Sequence, residues 1–113
     1  MQIEYTGRQT TVTPRLREQA QMGLQRIERI IGHTGNAHIV LTVEKNRLTA
    51  EVTVKARGAE LVGAGQSTLM AAALQDALDK AEKQALRHKE RNVGRKRNAG
   101  ISKEDLHVRA VAS

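Results

Sequence analysis

The chain has 113 residues, enough for one small domain and too few for two. An apolar fraction of 39% supports one modest core, which must be aliphatic because Tyr5 is the only aromatic residue; with no cysteine there is no disulfide framework, thiolate zinc site or cysteine nucleophile. A formal charge of +7 and a pI of about 10.4 point to a polyanionic partner, nucleic acid foremost.

The opening MQIEYTGRQT has no basic start followed by an apolar run, so it does not read as a signal peptide. No apolar stretch is long enough to span a bilayer. The expectation is a soluble, intracellular protein in a reducing compartment. Gln2 to Gly7 alternates Ile3 and Tyr5 with polar neighbours and predicts a strand. A helix follows, with Thr13 at the N-cap, Pro14 at the first helical position and Gly32 or Gly35 at the end. Its core-facing stripe is Leu16, Ala20, Leu24, Ile27 and Ile31.

Ala37 to Lys45 and Arg47 to Arg57 both alternate apolar with polar residues, and a short polar link at Asn46 joins them as a hairpin. Gly58 marks the next turn, and ELVGAG predicts a short fourth strand. Ser67 or Thr68 is expected to cap a long helix ending near Asn92. From Val93 onward no period is sustained, which predicts a mobile basic tail over residues 93–113 after a domain at 1–92. The order β-α-β-β-β-α belongs to the α+β class: a four-stranded mixed sheet with two helices packed on one face, in the manner of a double-stranded-RNA-binding domain.

At 100° per residue, the last helix buries Met70, Leu74, Ala77, Leu78, Ala81 and Ala85. Lys80, Lys83, Arg87 and Arg91 then share one flank, with Glu82 on the other and Asp79 and Glu90 facing away from the core. A helix shaped only for solubility interleaves its signs, because like charges one turn apart repel. In the first helix Arg15, Gln19, Met22, Arg26 and Arg29 line one flank, and Glu18 and Glu28 the opposite one. Two helices on one sheet face are expected to bring these basic rows together across a groove spaced for phosphates. The plain alternative is two ordinary amphipathic helices sorted by chance. With no paired aromatic rings to stack bases, structured RNA read by shape and backbone is favoured over single strands. No zinc-finger spacing, leucine zipper or helix-turn-helix declares itself.

No catalytic chemistry emerges. VGAGQST (Val62 to Thr68) lacks the lysine of a phosphate loop, and Thr68 stands where a dinucleotide site needs a third glycine; a tight strand–helix turn is the simpler reading. His33, His38, His88 and His107 are scattered without metal-ligand spacing, and Ser67 has no evident base. His88 falls on the buried side of the last helical turn, suited to capping carbonyls or joining the basic surface. The expectation is a non-enzyme with no cofactor and no metal.

MQIEYTG at the start, TPRLRE opening the first helix, VLTVEK in the second strand and DKAEKQALRHKER in the last helix occur in that order. In these motifs the chain resembles the short bacterial ribosome hibernation promoting factors, or ribosome-associated inhibitors, of the sigma-54 modulation protein family. The resemblance covers Met1 to about Arg91. It implies a cytoplasmic bacterial protein, not an enzyme, whose partner is the small ribosomal subunit, meaning 16S rRNA and neighbouring ribosomal proteins. It implies binding near the A and P sites, where mRNA and tRNA would lie, and idle ribosomes stored or dimerised under stress and in stationary phase. No membrane and no small-molecule substrate is implied. Matched onto this chain, the RNA-contacting positions are Lys80, Lys83, Arg87, His88, Lys89 and Arg91, with Lys45 at the strand end. Arg26 and Arg29 are added from the helix-face argument. The chain departs from the family where LMA (Leu69 to Ala71) replaces an aromatic DMY-like motif and where Ala81 and Ala85 replace leucines. Longer relatives carry a second, C-terminal domain. The competing readings are a general nucleic-acid-binding or sigma-factor-modulating protein, and a protein adaptor using the polar sheet face.

Overall fold

The computed structural model describes residues 1–32, 35–56 and 58–100, with side chains of the last helix through Lys89. The elements are β1 (Gln2–Arg8), α1 (Pro14–Ile31), β2 (Asn36–Glu44), β3 (Arg47–Ala56), β4 (Ala59–Ser67) and α2 (Met70–Gly100). The strands lie in the order β1-β2-β3-β4; β1 pairs parallel with β2, and the other two pairs are antiparallel. The sheet is therefore mixed. Its parallel pair is spanned by α1, because parallel neighbours need a long crossover.

Local chemistry sets the limits of α1. Thr13 is extended, and its hydroxyl oxygen accepts the Leu16 N–H at 3.2 Å; Pro14 opens the helix. Gly32 ends it at φ 83°, a left-handed conformation that suits glycine, with its N–H donating to the Glu28 carbonyl at 2.8 Å. Gly58 turns β3 into β4 at φ 76°. The core is aliphatic: Leu24 and Ile27 of α1, Leu74 and Leu78 of α2, and Ile39, Leu41, Val52 and Val54 of the sheet are all essentially inaccessible. Burying each such side chain contributes about 1.5–3 kcal/mol. Tyr5 lies half-buried beneath Arg17, whose guanidinium carbon is 4.6 Å from the ring centre. Desolvation raises the phenol pKa, and the Arg17 charge opposes that rise.

Several expectations change. VGAGQST is not a strand–helix turn: Val62 to Ser67 belong to β4, and the turn is confined to Thr68 and Leu69. Gly63 and Gly65 are there for close packing. A Cβ on either would come within 2.1 Å of a backbone oxygen of α2, Ala77 for Gly63 and Ala73 for Gly65. The buried Ala73, Ala77 and Ala81 complete this contact, and their small side chains let helix and strand backbones approach. Neither Ser67 nor Thr68 caps α2. The Leu69 carbonyl accepts the Ala73 N–H, so Leu69 holds the cap position, and the Ser67 hydroxyl bonds the Leu69 N–H at 3.3 Å. The helix does not stop near Asn92 but continues to Gly100. Residues 93–100 contain no proline and several good helix formers, and Gly94 alone is too weak a breaker. The expected boundary at 92/93 thus falls inside a helix. Residues 101–113, His33, His107 and the β3 end at Arg57 lie outside the described residues.

Candidate nucleic-acid interface

The two helices meet along a polar seam. The Gln19 amide donates to the Ala71 carbonyl at 2.8 Å and to Gln75 Oε1 at 3.3 Å, and Gln75 in turn donates to Asp79 at 2.9 Å. One turn on, the buried Gly23 admits Leu78: a Cβ there would lie 2.8 Å from a Leu78 methyl carbon. Further along, Arg26 Nε pairs with Glu82 Oε1 at 3.4 Å. Partners advance together along both helices, so α1 and α2 run side by side in the same direction. Both side chains of the Arg26–Glu82 pair are partly exposed, and such a pair contributes at most about 1 kcal/mol.

The opposite flank of α2 overhangs β4. Lys80 Nζ donates to the Ala64 carbonyl at 2.9 Å and pairs with Asp76 Oδ2 at 3.2 Å. Gln84 Oε1 accepts the Val62 N–H at 2.9 Å, and Gln84 Nε2 donates to the Val62 carbonyl at 2.5 Å.

The expected groove between two facing basic rows is therefore not formed. Arg26 faces the flank of α2 that carries Glu82, while Lys80 lies on the far side of the same helix. Helical spacing reveals which residues share a flank. Which neighbour a flank meets is decided by the rotation of α2, and the Gly63–Gly65 contact fixes that rotation.

The expected contact residues divide accordingly. Lys83, Arg87 and Lys89 are exposed, and among the described residues they form no ion pair. Arg29 is likewise exposed and outside those pairs. Lys83 and Arg87 lie one turn apart, whereas Lys89, seven residues after Glu82, falls toward α1. His88 is half-buried. Arg91 continues the helix, with its side chain outside the described residues. From Lys83 to Arg97 the chain carries Lys83, Arg87, Lys89, Arg91, Arg95, Lys96 and Arg97 against Glu90 alone, so phosphate would meet little opposing charge.

Lys45 is not brought beside them. It stands in the turn between β2 and β3, not at the strand end. That turn lies at the end of the sheet where Leu48 pairs with Ser67 and α2 begins. At 1.5 Å per residue, Lys83 to Lys89 lie roughly 20–28 Å farther along the helix. Sequence reasoning also missed Gln84, whose only signal was its place one turn after Lys80 on the same flank. Met22 and Leu86 add exposed apolar surface to the helical layer, 63% and 44% accessible. No helix among the described residues is long and apolar enough to cross a membrane.

The family model described as Sigma 54 modulation protein / S30EA ribosomal protein matches residues 3–93. A ribosome hibernation promoting factor from Azotobacter vinelandii is 33% identical over 95 residues, covering 84% of this chain and 89% of that protein. The ribosome hibernation promoting factor of Escherichia coli (strain K12) is 29% identical over 91 residues, covering 80% and 96%. Among solved structures, a ribosomal subunit interface protein from Coxiella burnetii aligns with a TM-score of 0.72 at 27% identity, covering 79% of this chain and 98% of that one. The N-terminal domain of Thermus thermophilus Protein Y aligns at 0.70 and 26% identity, covering 78% and 99%. Sequence order, sheet topology and matched length agree, and the chain belongs to the Sigma 54 modulation protein / S30EA ribosomal protein family.

Proposed function

We propose that the chain is a ribosome hibernation factor that silences translation by occlusion. It binds the small ribosomal subunit through phosphates of 16S rRNA, near the A and P sites, and so excludes mRNA and tRNA. Idle ribosomes are thereby stored, singly or as dimers, in the bacterial cytoplasm under stress. The observation that carries this reading is the set of exposed cations on α2 that form no ion pair among the described residues: Lys83, Arg87 and Lys89, with Arg91 next along the helix. Charges kept out of internal pairs remain available to an external polyanion. Arg29 extends the surface onto α1, and Arg26 joins it when Glu82 is displaced. His88 supports the row from beneath, and Lys45 makes a separate contact at the other end of the sheet. No covalent step is involved, and no cofactor or small-molecule substrate. Residues 1–92 supply the ribosome-binding unit, and the basic stretch from Val93 extends along the RNA.

Co-sedimentation with purified small subunits at moderate salt tests this. Replacing Lys83, Arg87 and Arg91 together with Glu is expected to abolish co-sedimentation while the circular dichroism spectrum is retained. Binding that survives unchanged removes the basic-helix reading. Equal affinity of the unaltered protein for duplex DNA and for small subunits would move the assignment to a general nucleic-acid-binding or sigma-factor-modulating role.

A further inference from the structure

Among the described residues β4 is the last strand of the sheet, and N–H and C=O groups along its outer edge have no strand there to bond. Side chains of α2 take that place. Gln84 bonds both the N–H and the carbonyl of Val62, the two groups an added strand would bond at that residue. Lys80 bonds the carbonyl of Ala64, the next outward-facing residue. The repeats match: two residues of strand span about 6.6 Å, and four residues of helix about 6 Å. The contact is short because Gly63 and Gly65 leave no Cβ between the strand and the helix backbone.

We propose that Gln84 and Lys80 are positioning residues: they close the β4 edge as a fifth strand would, and they lock α2 in the rotation set by the Gly63–Gly65 contact, which turns Lys83 and Arg87 outward. Lys80 is thereby withdrawn from phosphate contact. One N–H of its ammonium group is committed to Ala64, and the Asp76 carboxylate at 3.2 Å both neutralises it and repels an approaching phosphate. The inference rests on the reading that the basic side of α2 binds RNA, and it divides that side into ligands and supports.

The test measures small-subunit affinity at several salt concentrations for the full chain and four variants, with hydrogen exchange at the Val62 amide as a readout independent of RNA. Lys83→Met and Arg87→Met are each expected to reduce the slope of log affinity against log salt by about 0.7–0.9, one phosphate contact apiece. Lys80→Gln removes a charge but keeps an N–H donor for Ala64, and its slope is expected to match the unaltered protein. Gln84→Ala removes no charge, yet its slope is expected to fall by about one contact, with exchange at Val62 faster by tenfold or more while the Val52 amide stays protected. A Lys80→Gln slope reduced as much as that of Lys83→Met overturns the proposal, as does unchanged Val62 exchange in Gln84→Ala. If Lys83→Met and Arg87→Met leave the slope intact while Val62 exchange accelerates, the edge closure stands and the RNA-binding reading fails.

Discussion

The two broad faces of the molecule handle charge in opposite ways. On the open face of the sheet, signs are mixed along the paired rows. Gln2, Asn36, Lys55 and Glu60 form one row; Glu4, His38, Thr53 and Val62 form the next. Thr6, Val40, Glu51 and Ala64 follow, then Arg8, Thr42, Thr49 and Gln66. His38 Nε2 and the Thr6 hydroxyl lie 2.7 Å apart within this surface. On the helical layer, Glu82 and Asp76 are paired on the seam and on the β4 flank, and Lys83, Arg87 and Lys89 stand beyond them in no ion pair among the described residues. A face with mixed signs has little net field, whereas a sorted one attracts polyanions from a Debye length away. The contrast teaches that the attraction for polyanions is one-sided.

The most damaging way to break this contrast is to separate the layers. Gly65→Val is expected to destabilise the fold by roughly 3 kcal/mol or more, because strand and helix backbones cannot both stay in place. Ala64→Val, one residue away on the open face, should stay within about 0.5 kcal/mol. Urea denaturation of the two variants compares them directly.

Charge reversal comes next. Lys83→Glu with Arg87→Glu should weaken small-subunit binding by about a hundredfold or more at 0.1 M salt, since each change removes a contact and adds a repulsion. Arg8→Glu with Lys55→Glu changes the net charge equally on the open face and should alter affinity by no more than about threefold. Filter binding measures both, and comparable losses would erase the distinction between the faces.

The smallest effect sharpens the contrast within the helical layer. Glu82→Gln removes an acid from the seam and frees Arg26. Affinity is expected to rise by about two- to fivefold at low salt and to return toward the unaltered value as salt screens the surface. The stability cost should stay below about 1 kcal/mol. A lower affinity would show that the Arg26–Glu82 pair shapes the surface rather than shielding it.

Much of the fold was legible because its signals are local. Thr13, Pro14 and Gly32 mark α1 through capping chemistry that operates within one turn of the chain. The alternation from Ala37 to Ala56 reports a two-residue period with one buried face, and the hairpin register follows it. The start of α2 was less legible, because serine and threonine are strong capping residues wherever they stand. Here β4 runs on to Ser67, and Leu69 takes the cap position. The end of α2 was missed for a different reason. A helix built from charged formers needs no apolar period to continue, so the loss of period at Val93 did not mark its end. For the candidate site, spacing alone placed Lys83 and Arg87 on one flank. It placed Lys80 there as well, although that side chain bonds the edge of β4.

What the sequence by itself determined is the order of elements, the aliphatic core, the excess of positive charge and its sorting around α2. These depend on composition and on periods of two and 3.6, which each segment carries alone. Only the tertiary structure decided which flank of α2 meets α1 and which overhangs β4. The decision comes from backbone contact at Gly63 and Gly65, where missing side chains set the helix rotation. With the rotation set, Glu82 is directed to Arg26 and Lys80 and Gln84 to the strand edge, and Lys83 and Arg87 are left to the solvent.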